Sequence, residues 1–546
     1  MFDFNIFILF LLSISCSLTF FFLVTSHNRN SKRFKSKTPC PQSYPILGNL
    51  VALLKNLHRF QDWIADMLSE TPTSTIRVNN FLNLSHGICT ANPANVEHLL
   101  YSNFHNYIKG SRFRLGFHEL LGDGIFAVDG QLWKLQRKIA SHEFNTKSLK
   151  LFTSDTVNFQ IGQCLLPYLS SAELNDQVID LQDVLRKFSL DNILKVAFGV
   201  DPSCLVVYND NSNSILKFVK AFDFAAEIGV LRYISPIPAI WKLKRLFNLG
   251  SEKQFKEAIA VINKFAMEII MSREEQKEQT QLNQDLLSRF IFSESDTLVF
   301  DREQHLRRRF LRDIVISFVL AGKDSTSTAL TWFFWLLAGH PHVAERIREE
   351  ISSVAATAEE GKSVVVFSYE QLKKLNYLQA ALSESMRLFP PVPIDTRLAV
   401  NDDVLPDGTQ VRSGWFADYS AYAMGRMEKI WGSDCKDFKP ERWLNEQGVF
   451  QACDQYRYPV FHGGPRICLG RGMAYVQMKS VVAAVMNEFE IEAVDGGGTA
   501  EKMTHPPFML SMVLKMRGGL PVKLRRRFKT KSKAEKITTP SPGVQL

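Results

Sequence analysis

The chain has 546 residues, 45% hydrophobic and 22% charged, which supplies apolar material for a large core and excludes a disordered polymer. Its formal charge of +9 lies at the ends: Asp3 faces Arg29, Lys32, Arg33, Lys35 and Lys37 in residues 1–37, and eleven Lys and Arg face Glu501 and Glu535 in residues 501–546. The net acidic body between them disfavours a nucleic-acid-binding core, and the basic ends suit a chain lying near an anionic membrane surface.

From Phe4 to Val24 the sequence is almost wholly apolar, about the length a helix needs to cross the hydrocarbon. A cleaved signal peptide would have a shorter apolar run with basic residues ahead of it, whereas here they come after it. Residues 1–26 are therefore expected to form a transmembrane anchor, with the Arg29 to Lys37 side in the cytosol. Residues 27–48, basic and carrying Pro39, Pro41, Pro45 and Gly48, read as a stiff hinge.

The alternation of Ile76, Val78, Leu82, Leu84 and Ile88 predicts a small β element over residues 74–90. Most of the chain beyond residue 90 reads as helix. Leu311 to Leu337 is expected to be one long buried helix containing Gly322 and ending before Pro341; Tyr369 to Leu388 another, stopped by Pro390-Pro391; and Arg471 to Phe489 a third. The expected organisation is one mainly α domain with a minor β portion over 49–525, then a basic, disordered tail over 526–546. The eight cysteines include no CxxC pair, which argues against a disulfide framework or a zinc cluster and for a reducing compartment. The Asn83-Leu84-Ser85 sequon is then expected to be unused.

The segment FHGGPRICLG, Phe461 to Gly470, sets a single cysteine in a glycine-rich basic loop just ahead of the Arg471 helix. Glycines at 463, 464 and 470 allow close backbone approach to a flat cofactor and point N–H groups at the sulfur. Such donors stabilise a thiolate. A lone cysteine is ordinarily an inert buried residue, but Phe461, Gly464, Arg466 and Gly470 at fixed offsets from Cys468 make this loop specific. The ten residues resemble the haem-binding loop of the cytochrome P450 family, which implies Cys468 as the axial ligand of the haem iron and Arg466 on a haem propionate.

The chain carries other landmarks of that family. Trp133 and Arg137 in WKLQR, on one helix face, resemble its propionate-binding helix. Glu384 and Arg387 in SESMR, with Arg442 in FKPERW, resemble the buried ion triad that braces the haem-side core. Arg397 stands where the family often has another propionate ligand. AGKDSTSTALTWFFWLL, Ala321 to Leu337, resembles its oxygen-activating helix: Gly322 permits local widening, Asp324 relays protons, and Ser325 is the alcohol where the family usually has threonine, with Thr326 as a second candidate. The landmarks run from about Pro39 to Arg525. They imply a cytochrome P450 fold behind its anchor, haem b, and monooxygenase chemistry. Electrons would come from NADPH through an NADPH-cytochrome P450 reductase, since no flavin or nicotinamide motif appears. The location implied is the endoplasmic reticulum membrane, single-pass, with the catalytic domain facing the cytosol.

The stretches ALTWFFWLLAGHP, PPVPIDTRLAVNDDVLPDGT, FKPERWL and GMAYVQMKSVVAAVM resemble most the plant fatty-acid omega-hydroxylases of family ninety-four, whose relatives act on jasmonate conjugates or sterol side chains. Ser325 and Gly472, the latter where that branch has an acidic residue, depart from the pattern. By carry-over the substrate pocket is lined by the Lys109 to Phe126 loop with Phe113 and Phe126, by Phe318 and Ala321, by Val392 and Ile394, and by the Phe508 to Leu510 stretch with Met509. Phe222 to Trp241 is expected to be a loop dipping into the bilayer surface. Two other readings stay open: a haem-thiolate isomerase or dehydratase of lipid hydroperoxides, and a non-catalytic haem-binding membrane protein.

Overall fold

The computed structural model describes residues 38–44, 46–79, 86–200, 214–235, 237–275, 285–291, 304–356, 366–494 and 508–527. Its longer helices are α1 (Phe60–Glu70), α2 (Gly110–Leu121), α3 (Gly130–Ser141), α4 (Leu181–Phe198), α5 (Ser214–Ile234), α6 (Pro238–Leu246), α7 (Gly250–Glu275), α8 (Gln304–Lys323), α9 (Ser325–Ala338), α10 (Pro341–Ala355), α11 (Asn376–Leu388) and α12 (Arg471–Glu488). The strands are β1 (Thr75–Asn79), β2 (His86–Thr90), β3 (Tyr107–Ile108), β4 (Ile179–Asp180), β5 (Asp395–Ala399), β6 (Asp403–Val404), β7 (Gln410–Val411), β8 (Phe416–Tyr419), β9 (Phe489–Ala493) and β10 (Pro521–Arg526). The fold is mainly α with a minor β portion: one sheet of order β1-β2-β8-β5-β3, one of order β4-β10-β9, and the β6-β7 ribbon.

The expected transmembrane anchor is corrected. No helix among the described residues is long and apolar enough to cross a membrane, and the segment 1–26 lies outside them. The single-pass topology, the endoplasmic reticulum location and the bilayer as a partner rested on that segment and are not carried forward. The bilayer-dipping loop is corrected too: Phe222 to Trp241 falls on α5 and α6, and Phe222, Ala225, Ile228 and Val230 are buried because α5 packs on α2 and α7. The basic tail from residue 528 lies outside the described residues.

Three apolar clusters build the body. One surrounds α9 and α12, a second lies between α2, α4, α5, α7 and α8, and a third backs the five-stranded sheet. The element expected over 74–90 is the β1-β2 antiparallel pair, with Leu82 and Leu84 outside the described residues.

The helix expected from Leu311 to Leu337 is interrupted. It ends at Lys323, and Asp324 (φ −100°, ψ −30°) separates α8 from α9. Side-chain hydroxyls compete for the backbone here: Ser325 Oγ donates to the Ala321 carbonyl at 2.7 Å and Ser327 Oγ to that of Lys323 at 2.9 Å, a known cause of helix bending. The Tyr369 to Leu388 helix is also divided, at Leu375, whose side chain turns into the core. A capping box of Ser368 and Gln371 starts the short first piece.

Two fully buried charges, Glu384 and Arg387, sit on α11. Glu384 accepts from Arg387 Nε (2.7 Å) and Nη2 (2.8 Å), Arg442 Nε (3.0 Å), the Lys439 amide (3.0 Å) and Trp443 Nε1 (2.9 Å). Arg387 spends its remaining donors on the carbonyls of Gly425, Cys435 and Asp437. Every partner is supplied, so the pair tolerates full burial, and removing the carboxylate would strand two guanidinium groups. Glu384→Ala is expected to destabilise the fold by about 3–5 kcal/mol, read as a lower thermal midpoint. A loss no larger than that of an ordinary surface variant would mean that the network does not bear on stability.

Candidate functional site

Cys468 sits at the mouth of α12, and its amide donates to the Phe461 carbonyl at 2.9 Å, closing the loop on itself. Burial pushes its thiol up. The Gly470 amide, Arg137 and the Arg471 amide oppose that shift. Arg137 Nη2 also holds the loop, donating to the Ile467 carbonyl at 2.7 Å. Two of the three loop glycines answer to the protein itself rather than to a flat ligand. At Gly464 (φ +61°) a Cβ would lie 2.1 Å from the Leu100 carbonyl oxygen, and at Gly463 it would lie 2.9 Å from the Tyr456 ring. Gly470 is the one beside the sulfur, its hypothetical Cβ 3.9 Å from Cys468 Sγ.

Charged groups converge next to this loop. Arg466 Nη2 donates to the Val128 carbonyl and to Asp129 Oδ1, both at 2.7 Å, with its guanidinium 4.5 Å from the centre of the Trp133 ring. Arg397 Nη1 meets Asp395 Oδ2 at 2.6 Å, and Lys109 Nζ meets Asp395 Oδ1 at 2.5 Å. Burial works to raise the Asp395 carboxyl, but Arg397, Lys109 and His462 hold it well below the usual range. Burial and the like charge of Arg397 push Arg466 down to about 10, burial brings Lys109 down to about 8, and His462 is pushed down to about 4 and is neutral. Arg397 Nε is buried with no hydrogen-bond partner among the described residues. The motifs had pointed to Trp133, Arg137, Arg397 and Arg466. Lys109 as a cation, and Asp129, Asp395 and His462 altogether, were missed, although His462 lies inside the FHGG motif and Asp129 just ahead of the Trp133 helix.

At the α8–α9 break Ala321 is exposed and Gly322 and Ser325 are half-buried, whereas the turns to either side are largely buried. Gly322 is fixed by packing: a Cβ there would lie 2.5 Å from Ile193 Cγ1 on α4. The expected acid and alcohol do not touch. Ser325 bonds back to Ala321, Thr326 is buried, and Asp324 turns into an ion cluster. There Lys323 Nζ meets Asp324 Oδ1 at 2.6 Å and Asp223 Oδ1 at 2.7 Å, Arg186 Nε lies 3.5 Å from Asp324, and Lys515 Nζ lies 3.6 Å from Asp223. Burial would raise the Asp324 carboxyl; Lys323, then Lys515 and Arg186, overcome it and hold it below its usual value.

One cysteine ringed by amide donors, several cations beside an orphaned guanidinium nitrogen, and a small-residue helix face form a donor set suited to a haem with its two propionates. The sequence of the chain agrees: a family model for cytochrome P450 matches residues 38–518. The chain belongs to the cytochrome P450 family.

This P450 is similar to several plant members. It is 42% identical to cytochrome P450 94A2 of Vicia sativa, over 93% of this chain and 96% of that protein. It is 44% identical to cytochrome P450 CYP94D108 of Paris polyphylla, over 89% of this chain and 93% of the other. With cytochrome P450 94C1 of Arabidopsis thaliana it shares 44% identity, over 87% and 90% respectively. It is a haem-thiolate monooxygenase that uses NADPH and dioxygen, and its substrate is lipophilic.

Of the side chains expected around the substrate, Phe113 and Phe318 are buried in one apolar cluster, and Phe126, Leu469 and Leu510 pack against it, so the cluster reaches the residue next to Cys468. Val392 and Ile394 are half-buried on the approach to β5, and Met509 is exposed. The expected Lys109 to Phe126 loop is for most of its length α2, started where Asp129 accepts from the amides of Lys109 (3.0 Å) and Gly110 (3.2 Å). Cys468→Ala in this P450 is expected to abolish the long-wavelength absorption band of the reduced carbon monoxide complex. Retention of that band would assign the axial ligand to another residue.

Proposed function

We propose that this P450, through the body over 49–525, holds haem b on Cys468 and hydroxylates a long-chain fatty acid or related lipid at or near its terminal carbon. Jasmonate conjugates and sterol side chains are the related lipids of the same branch. The observation that carries this reading is the apolar cluster that holds Phe113 and Phe318 and against which Leu469 of the cysteine loop and Leu510 pack. An alkyl chain needs such surroundings, and the 42–44% identity to P450s of family ninety-four supports the branch.

When bound, haem supplies dioxygen activation, and a thiolate favours cleavage of the O–O bond. The protein's part is to hold and to deliver. The Gly470 and Arg471 amides stabilise the Cys468 thiolate, Arg137, Arg397, Arg466 and Trp133 receive the propionates, and the apolar cluster excludes water from the reacting end. Electrons come from NADPH through NADPH-cytochrome P450 reductase. Protons would reach the helix break from partly exposed Asp223 by way of Lys323 and Asp324, and the Ser325 hydroxyl would turn from the Ala321 carbonyl to donate the final hydrogen bond. Glu384, Arg387 and Arg442 stay structural.

Terminal oxidation is tested by incubating the enzyme, reductase and NADPH with saturated fatty acids of graded length and identifying products by mass spectrometry. Hydroxyl groups at or next to the last carbon are expected, and mid-chain products or none would overturn the reading. In the same assay Ser325→Ala is expected to bind substrate but release more hydrogen peroxide and less product per NADPH, Asp324→Asn to turn over more slowly, and Ser325→Thr to couple at least as well as the parent. Unchanged coupling in Ser325→Ala would remove Ser325 from the mechanism.

A further inference from the structure

Arg112 lies on α2 just ahead of Phe113. Its guanidinium is clamped between two aromatic faces, 3.8 Å from the ring centre of Phe416 on β8 and 4.4 Å from that of Tyr233 at the end of α5. Such stacking fixes the plane of the group and leaves its edge for a ligand. The anion nearest to that edge is Asp418, with Oδ1 3.8 Å from Nη1, too far for a hydrogen bond, and the same oxygen already accepts from Thr396 Oγ1 at 2.6 Å. Arg112 Nη1 is buried without a hydrogen-bond partner among the described residues, and the Tyr233 hydroxyl is buried with the Thr396 side chain against it. A buried guanidinium N–H left without an acceptor is costly, and beside a hydroxyl it marks a place where an acceptor can be supplied from outside.

The local charge points the same way. Asp395 has both oxygens committed, to Lys109 and to Arg397, so it cannot serve Arg112. Lys109, Arg397 and Arg112 thus stand against only two carboxyls, and burial pushes one of these, Asp418, up to about 6. The surroundings are apolar: Phe113 and Phe117 are buried beside the clamp, and the Phe117 and Tyr233 rings lie 6.2 Å apart. Both phenylalanines belong to the cluster that continues to Phe318. Arg112 itself keeps 22% of its side-chain surface, so it stands at an edge open to solvent, with the greasy interior beyond it.

We propose that Arg112, assisted by the Tyr233 hydroxyl, binds the carboxylate of the lipid substrate, holding the acid end at the outer edge while the far end of the chain lies toward the helix break at Asp324. The planar guanidinium and the hydroxyl offer donors to both oxygens of one carboxylate, a match that a neutral ester or alcohol head cannot reproduce. Asp418 makes the preference depend on Arg112, since without that charge an incoming carboxylate would face a second carboxyl. The inference rests on the reading of the substrate as a fatty acid.

The test uses the full-length, haem-loaded enzyme. Dodecanoate and methyl dodecanoate are titrated against the parent, Arg112→Ala and Tyr233→Phe, with binding followed by the change in haem absorption and turnover by product analysis. The parent is expected to bind the acid more tightly than the ester. Arg112→Ala is expected to lose about tenfold or more in affinity for dodecanoate, bringing the acid-to-ester ratio near or below one, and Tyr233→Phe to shift it less in the same sense. Should Arg112→Ala fail to take up haem, Tyr233→Phe, which removes a single oxygen, decides alone. The same ratio in every protein would overturn the proposal and leave the lipid reading standing, provided that both ligands bind and are oxidised. If the parent neither binds nor oxidises either compound, the lipid reading falls and the proposal with it.

Discussion

A carboxylate taken out of water must be met by donors, and Glu384 meets that demand with groups from two parts of the chain. Arg387 comes from its own helix, Arg442 and Trp443 from the turn that begins at Pro440, and the Lys439 amide from the strand of loop before it. This joins α11 to a segment of irregular backbone that could not otherwise hold a fixed position. The cysteine loop is built on the result: Tyr458 donates to the Ser383 carbonyl beside Glu384 at 2.9 Å, and Ser383 Oγ lies 2.9 Å from the Tyr475 hydroxyl on α12. Both flanks of the cysteine loop, Tyr458 before it and Tyr475 after it, are thus tied to the helix that carries Glu384.

At the α8–α9 break the same rule gives a different outcome. The Lys323, Asp324, Asp223, Arg186 and Lys515 cluster draws on α4, α5, the α8–α9 break and the segment that precedes β10. Asp223 keeps 27% of its side-chain surface, so this network has one end in water and the other against the helix break. The Glu384 network, closed to solvent, keeps a backbone in place. The Asp324 network, open at one end, keeps its charges paired while one of its carboxylates meets water.

Much of the site was legible because its motifs are local. The cysteine loop, the Trp133 to Arg137 helix and the Glu384 to Arg387 turn each lie within a few residues, and their spacing alone puts the side chains on one face. The features that could not be read depend on partners far along the chain. The helix break at Asp324 lies in a network in which Lys323 pairs with Asp223 on α5, itself close to Lys515, and the local sequence does not announce those distant partners. Lys109, Asp395 and His462 meet only because β5, β8 and the cysteine loop are assembled side by side. The helical α2, expected as a loop, owes its start to Asp129, which reaches back across sequence to the amides of Lys109 and Gly110. The strand pairing of β1 with β2 was visible, while the parallel pairing of β2 with β8 has no local signature.

The close fit of Gly322 against Ile193 constrains how this sequence can drift. A methyl group at 322 would fall 2.5–2.8 Å from three carbons of the Ile193 side chain, including its Cβ, which no change of rotamer can withdraw. Alanine at 322 is therefore admissible only after position 193 has become glycine or the two helix backbones have moved apart, whereas truncating 193 first leaves merely a cavity. The two sites are epistatic with a preferred order of substitution, and a lineage that begins at 322 meets a barrier that one beginning at 193 does not.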